Sequence, residues 1–172
     1  LGHYASNGLG VTNRLGEPNS PQHSADNDGR FDAILLAFDT SVRLTELFFG
    51  WDNGDTDFTV LYYTGSGSTA LVGERYDTLS PEWGVLGHYD SSGSGSKALS
   101  NSNTHSQYWL VLAYNNVFTG TTHNLDGGPN APDERDDLTL LDVEGDVGQY
   151  GGLAVPGGDA ADVKQRLLPD RP

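Results

Sequence analysis

The residues most able to do chemistry are the aspartates. Ser24-Ala-Asp26-Asn-Asp28-Gly29-Arg-Phe-Asp32 places an oxygen-bearing side chain at nearly every second position, with a glycine that permits a sharp turn. Calcium takes about six to eight oxygens from a loop that can wrap around it, and this alternation presents oxygens on one side. The spacing is not that of an EF-hand, because position 12 counted from Ser24 is Leu35. A second group, Asp52-Asn-Gly-Asp55-Thr-Asp57, holds three carboxylates within six residues, whose repulsion a cation would relieve. Asp126 and Asp133-Glu134-Arg135-Asp136-Asp137 form a third. The candidate metal ligands are therefore Asp26, Asp28, Asp32, Asp52, Asp55 and Asp57, with Ca2+ as the cation. The same Asx-rich stretches also read as ordinary turns between strands.

No catalytic set stands out. His3, His23, His88, His105 and His123 lack metal-ligand spacing, and there is no nucleophile elbow, phosphate loop or dinucleotide fingerprint. The chain has no cysteine, which excludes disulfides, thiolate metal sites and a cysteine nucleophile. The expectation is a protein that is not an enzyme, with a secreted glycoside hydrolase as a distant third reading. Trp51, Trp83 and Tyr63 are candidate ligand residues under an alternative reading. Exposed aromatic rings stack on sugars, so the chain could be a monomeric extracellular carbohydrate-binding module.

These residues need rigid elements to position them. Strand-like runs of alternating or continuous apolar residues are predicted at 31–38, 43–50, 58–63, 69–75, 83–89, 107–114 and 138–143, with a short one near 10–13. In the 58–63 run, Phe58, Val60 and Tyr62 share a face, and Tyr62 and Tyr63 fall on opposite faces, so at least one of that pair is expected to point outward. In the 107–114 run, Tyr108, Leu110, Leu112 and Tyr114 oppose Trp109, Val111 and Ala113. Seven to eight strands without intervening helical patterns predict an all-β, two-sheet β-sandwich, jelly-roll-like, with an immunoglobulin-like order as second choice. The domain is expected to span 1–147. Residues 148–172 read as a linker and C-terminal tail, with a short helix over Asp159–Leu168 stopped by Pro169.

The chain's 172 residues carry 24 acidic and 9 basic side chains, a net charge of −15. That balance disfavours nucleic acid, whose phosphates demand a basic footprint, and adsorption to anionic lipid. No apolar run approaches the roughly 20 residues needed to span a membrane. A start at Leu1 and the lack of any methionine suggest a mature chain whose leader has been removed.

Taken together, Gly8-Leu-Gly-Val-Thr-Asn13, Ser24 through Asp39, Phe49-Gly-Trp51, Asp57 through Gly65, Tyr108-Trp-Leu-Val111 and Asp136 through Gly145 resemble exosortase-dependent surface proteins of the PEP-CTERM type. The resemblance covers roughly residues 8 to 146. It implies a protein exported by a Gram-negative bacterium to the cell surface or extracellular matrix, associated with exopolysaccharide or biofilm, and it carries over no catalytic residue. The chain departs from the pattern at its end. Leu153-Ala-Val-Pro156-Gly-Gly stands where Pro-Glu-Pro, a membrane-spanning stretch and an Arg-rich terminus would be. The resulting expectation is a structural, self-associating filament or biofilm subunit stabilised by calcium. Its partners would be other copies of itself or exopolysaccharide.

Overall fold

A run such as Ala33-Ile-Leu-Leu-Ala-Phe38 has no polar face to give to water, so a strand built from it must be covered on both sides. The computed structural model describes residues 2–3, 8–11, 24–27, 32–52, 57–66, 69, 71, 74–79, 81–90, 93–101, 103–123, 137–146 and 153–154. In chain order the strands are β1 (Gly2–His3), β2 (Leu9–Gly10), β3 (Ala25–Asp26), β4 (Ala33–Asp52), β5 (Phe58–Tyr63), β6 (Trp83–Tyr89), β7 (Gly95–Ala98), β8 (Ser106–Ala113), β9 (Thr122–His123), β10 (Asp137–Asp146) and β11 (Leu153–Ala154). The fold is all-β and sandwich-like, as the apolar patterning predicts. The only helical element among the described residues is a 3-10 turn at Tyr76–Thr78. The segment 159–168, predicted to be helical, lies outside the described residues.

β4 organises the molecule. Its 20 residues would reach roughly 65 Å if straight, while a chain of this length has an expected radius of gyration of only about 16 Å. It therefore changes sheets. Residues 33–37 and 42 pair with β8, and residues 43–52 pair with β10. Between Ala37 and Val42 the ladder to β8 skips, because five steps along β4 match two along β8, from Tyr108 to Ser106. The extra residues Asp39, Thr40 and Ser41 are exposed at this corner. The two runs predicted as separate strands at 31–38 and 43–50 are thus halves of one strand.

One sheet contains β11, the first half of β4, β8, β5, β6 and β9, and the other contains β10, the second half of β4 and β7, with β2 and β3 on the far edge of β10 and β1 beyond β2. All pairings are antiparallel except β6 with β9. β8 is inserted between β4 and β5, so the order is set by long crossovers rather than by a meander. The predicted strands 58–63 and 83–89 match β5 and β6 end to end. Leu153 and Ala154, expected within the tail, pair with Phe38 and Ala37 of β4.

The main core lies between the sheets. Leu44, Leu47, Phe49, Leu138 and Leu140 from one sheet meet Ile34, Leu36, Phe58, Val60, Trp109 and Val111 from the other. Phe49 and Phe58 join the layers edge to face, with ring centroids 4.9 Å apart. A second apolar cluster covers the outer face of the β8–β5–β6 sheet. Leu61, Tyr63, Trp83, Leu110 and Leu112 are overlaid there by Leu71, Tyr76 and Leu79 from the β5–β6 connection and by Phe118 from the β8–β9 connection. This third layer is why the strands of that sheet are apolar on both faces. The 69–75 run, predicted to be a strand, supplies Leu71 to this cover and is not a strand in its described residues.

Candidate functional site

Strand register brings the aspartates of separate loops to one end of the sandwich. In the β8–β5 sheet, Ala33 pairs with Leu112 and Phe58 with Ala113. Asp32 and Asp57, each one residue earlier, therefore flank the Ala113–Tyr114 end of β8. The Tyr114 amide donates to the Asp57 carbonyl at 2.9 Å. In the other sheet Asp137 pairs with Asp26, and Leu138 pairs with both Ala25 and Asp52. A hydrogen bond from the Asp32 amide to the Asp26 carbonyl, 2.8 Å, ties the two sheets together at this end.

Four of the six candidate ligands, Asp26, Asp32, Asp52 and Asp57, are thus brought together by backbone position. Asp28 and Asp55 lie outside the described residues. Asp26 and Asp57 are buried and Asp32 is half-buried. Asp26 and Asp137 occupy directly opposed register positions, where like charges on neighbouring strands repel. Tyr76, in the 3-10 turn, has its phenol pushed above its ordinary range by burial and by the negative charge of Asp32. Among the described residues, no three His, Asp or Glu side chains stand close enough to hold one metal ion.

Two of the three aromatic candidates are corrected by packing. Tyr63 and Trp83 are 6 % and 9 % exposed and sit in the outer apolar cluster, with ring centroids 5.1 Å apart. They are cross-strand partners. Neither offers a face to a sugar ring, because the connection from β5 to β6 folds back over them. Trp51 is half-buried. Tyr62 does not point outward either, since it packs against the main core near Trp109. Alternation located the two faces correctly but not the extra layer on the second. Val117 is the one large hydrophobic side chain exposed among the described residues.

A polar network on that outer face carries no sequence signal beyond one histidine between apolar residues. His88 is 2 % exposed. Its Nε2–H donates to the Phe118 carbonyl at 3.1 Å, and Thr59 Oγ1 lies 2.9 Å from Nδ1. The same hydroxyl oxygen accepts the Asn115 amide at 3.2 Å, and Asn115 Oδ1 accepts the Val117 amide at 3.0 Å. The set pins the 115–118 loop onto β5 and β6, and its burial makes it structural.

Compared with known proteins, the chain matches no family model, no curated protein and no solved structure. No helix among the described residues is long and apolar enough to cross a membrane, which says nothing of strands.

Proposed function

We propose that this chain is an exported bacterial surface or extracellular-matrix protein with a structural role, a self-associating subunit whose acidic end is stabilised by calcium. The observation that carries the reading is the convergence of Asp26, Asp32, Asp52, Asp57 and Asp137, from three separate stretches of the chain, on one end of the sandwich. A chain of net charge −15 that gathers carboxylates at one pole repels itself there. A divalent cation supplied by the extracellular medium would remove that cost. Asp28 and Asp55, in the same two stretches of sequence, are the remaining candidate oxygen donors. The resemblance to exosortase-dependent surface proteins supports export and association with exopolysaccharide or biofilm.

A thermal melt in calcium, in magnesium and in excess chelator, at fixed ionic strength, tests the reading. A ligand that binds only the folded state at about 100 times its dissociation constant adds about 2.7 kcal/mol. For a domain of this size that raises the midpoint by about 5–10 °C. A rise of that order in calcium alone is the expected result, accompanied by faster sedimentation as protein concentration increases. An unchanged midpoint removes calcium from the reading, and a monomer at every concentration removes self-association.

A further inference from the structure

The connection from β8 to β9 lies across the outer face of its own sheet. Backbone ties hold its two ends: the Tyr114 amide donates to the Asp57 carbonyl, and the Thr121 carbonyl accepts the His88 amide at 2.9 Å. Between them, among the described residues, two further hydrogen bonds join the connection to the sheet. One runs from the Asn115 amide to Thr59 Oγ1, the other from His88 Nε2–H to the Phe118 carbonyl. Both depend on Thr59 and His88, which oppose each other in register on β5 and β6. A Cβ at Gly120 would overlap Val85 and press on His88 Nε2, so the backbone of the connection lies directly over the ring.

The Thr59 hydroxyl decides which proton the ring carries. Its oxygen accepts the Asn115 amide at 3.2 Å and lies 2.9 Å from His88 Nδ1. Among the described residues these are its two hydrogen-bond partners, and an amide N–H cannot accept. The hydroxyl proton therefore goes to Nδ1, which assigns the ring proton to Nε2, facing the Phe118 carbonyl at 3.1 Å.

We propose that the His88–Thr59 pair is a proton-operated latch on the 115–121 connection. A proton taken from solvent at Nδ1 turns that acceptor into a donor, aimed at an oxygen that already accepts the Asn115 amide. The Thr59 hydroxyl then loses its acceptor, and a charge stands on a ring only 2 % exposed. Swinging the ring outward relieves both and gives up the bond to Phe118. Phe118, edge-on to Tyr76 at 6.0 Å, then lifts from the outer apolar cluster and uncovers part of it.

Ionisable groups surround the ring on every side. Asp57, two residues before Thr59, and Asp90, two after His88, fall on the same face of the sheet by alternation. Tyr114 of β8 meets the ring edge to face with centroids 5.1 Å apart. β9 places Thr122 opposite His88 and His123 opposite Tyr89, and Tyr76 lies beyond Phe118. The two carboxylates favour the charged ring and burial opposes it, so together they set the pH of release.

Imidazole is the side chain that changes charge nearest neutral pH, so the test runs from about pH 8 to about pH 5. NMR in excess chelator, which keeps cations off Asp57, follows the His88 ring nitrogens and amide exchange corrected for its intrinsic pH dependence. The expected result is a neutral ring protonated at Nε2 at the upper pH. Protection at Asn115, Val117 and Phe118 should then fall about tenfold or more as the ring takes its second proton, while β8 keeps its own. His88→Gln should protect these amides weakly throughout, with no step. A step kept at the same pH in His88→Gln belongs to Asp57 and Asp90 and overturns the latch. So does a ring charged at the upper pH, a ring still neutral at the lower one, or protection that holds while the ring is protonated. Should His88→Gln fail to fold, the wild-type titration decides alone.

Discussion

Single side chains in this sandwich act mainly through what they bury. Trp83 looked like a sugar platform and is instead part of the outer cluster, so Trp83→Ala should cost about 3–5 kcal/mol of stability. A melt of that variant should show the fall, and glycan binding, if any, should be unchanged while the chain stays folded. Gly84 is the register partner of Tyr62, and a Cβ at Gly84 would overlap the Tyr62 ring. Gly84→Ala should therefore destabilise by about 1–3 kcal/mol through overpacking, measured by denaturant titration. Tyr89 is buried in the core, and burial pushes its phenol up to about 12, partly offset by a backbone hydrogen bond at Ser100. The Tyr63 hydroxyl, which donates to Glu82 at 2.8 Å, is raised too. The sign is that of acids whose folded value exceeds the unfolded one of about 10. Both contributions are whole below about pH 10 and are lost at higher pH, that of Tyr89 as pH rises toward about 12. A spectrophotometric titration should show a tyrosine class ionising late, together with loss of fold.

Elements that hold themselves by side-chain burial were legible, and those held by backbone ladders were not. Phe58–Tyr63 and Trp83–Tyr89 are bounded by turn residues and carry apolar side chains, so their ends could be read directly. β7, Gly95-Ser-Lys-Ala98, has no apolar period; it is a strand because its backbone pairs with residues 46–49 of β4. Asp39-Thr-Ser41 reads as a separator because its side chains face water, yet the backbone runs through it as a bulged corner. Of the acidic end, the residue types were legible, but their convergence depends on register between strands far apart in sequence. The His88 network is a tertiary feature of the same kind. Thr59→Val would leave the buried Asn115 amide without its acceptor, costing about 1–3 kcal/mol. Hydrogen exchange at residues 115–118 should quicken more than at β8, because that loop loses its anchor while the sheet keeps its ladder.

The whole molecule is governed by its charge and by its longest strand. With a net charge of −15, repulsion at the acidic pole weakens as salt shortens the screening length from about 30 Å at 0.01 M to about 8 Å at 0.15 M. The melting midpoint should therefore rise with sodium chloride over that range, and a midpoint that falls or stays flat would place the carboxylates too far apart to interact. β4 gives both sheets a strand, which means neither sheet can be taken apart while the other stays whole. Detaching β8 from residues 33–37 frees the chain that β10 needs at 43–52, and the reverse holds equally. The molecule should accordingly lack a half-melted state: its calorimetric and van't Hoff enthalpies should agree, and fluorescence and far-UV dichroism should report a single shared cooperative transition.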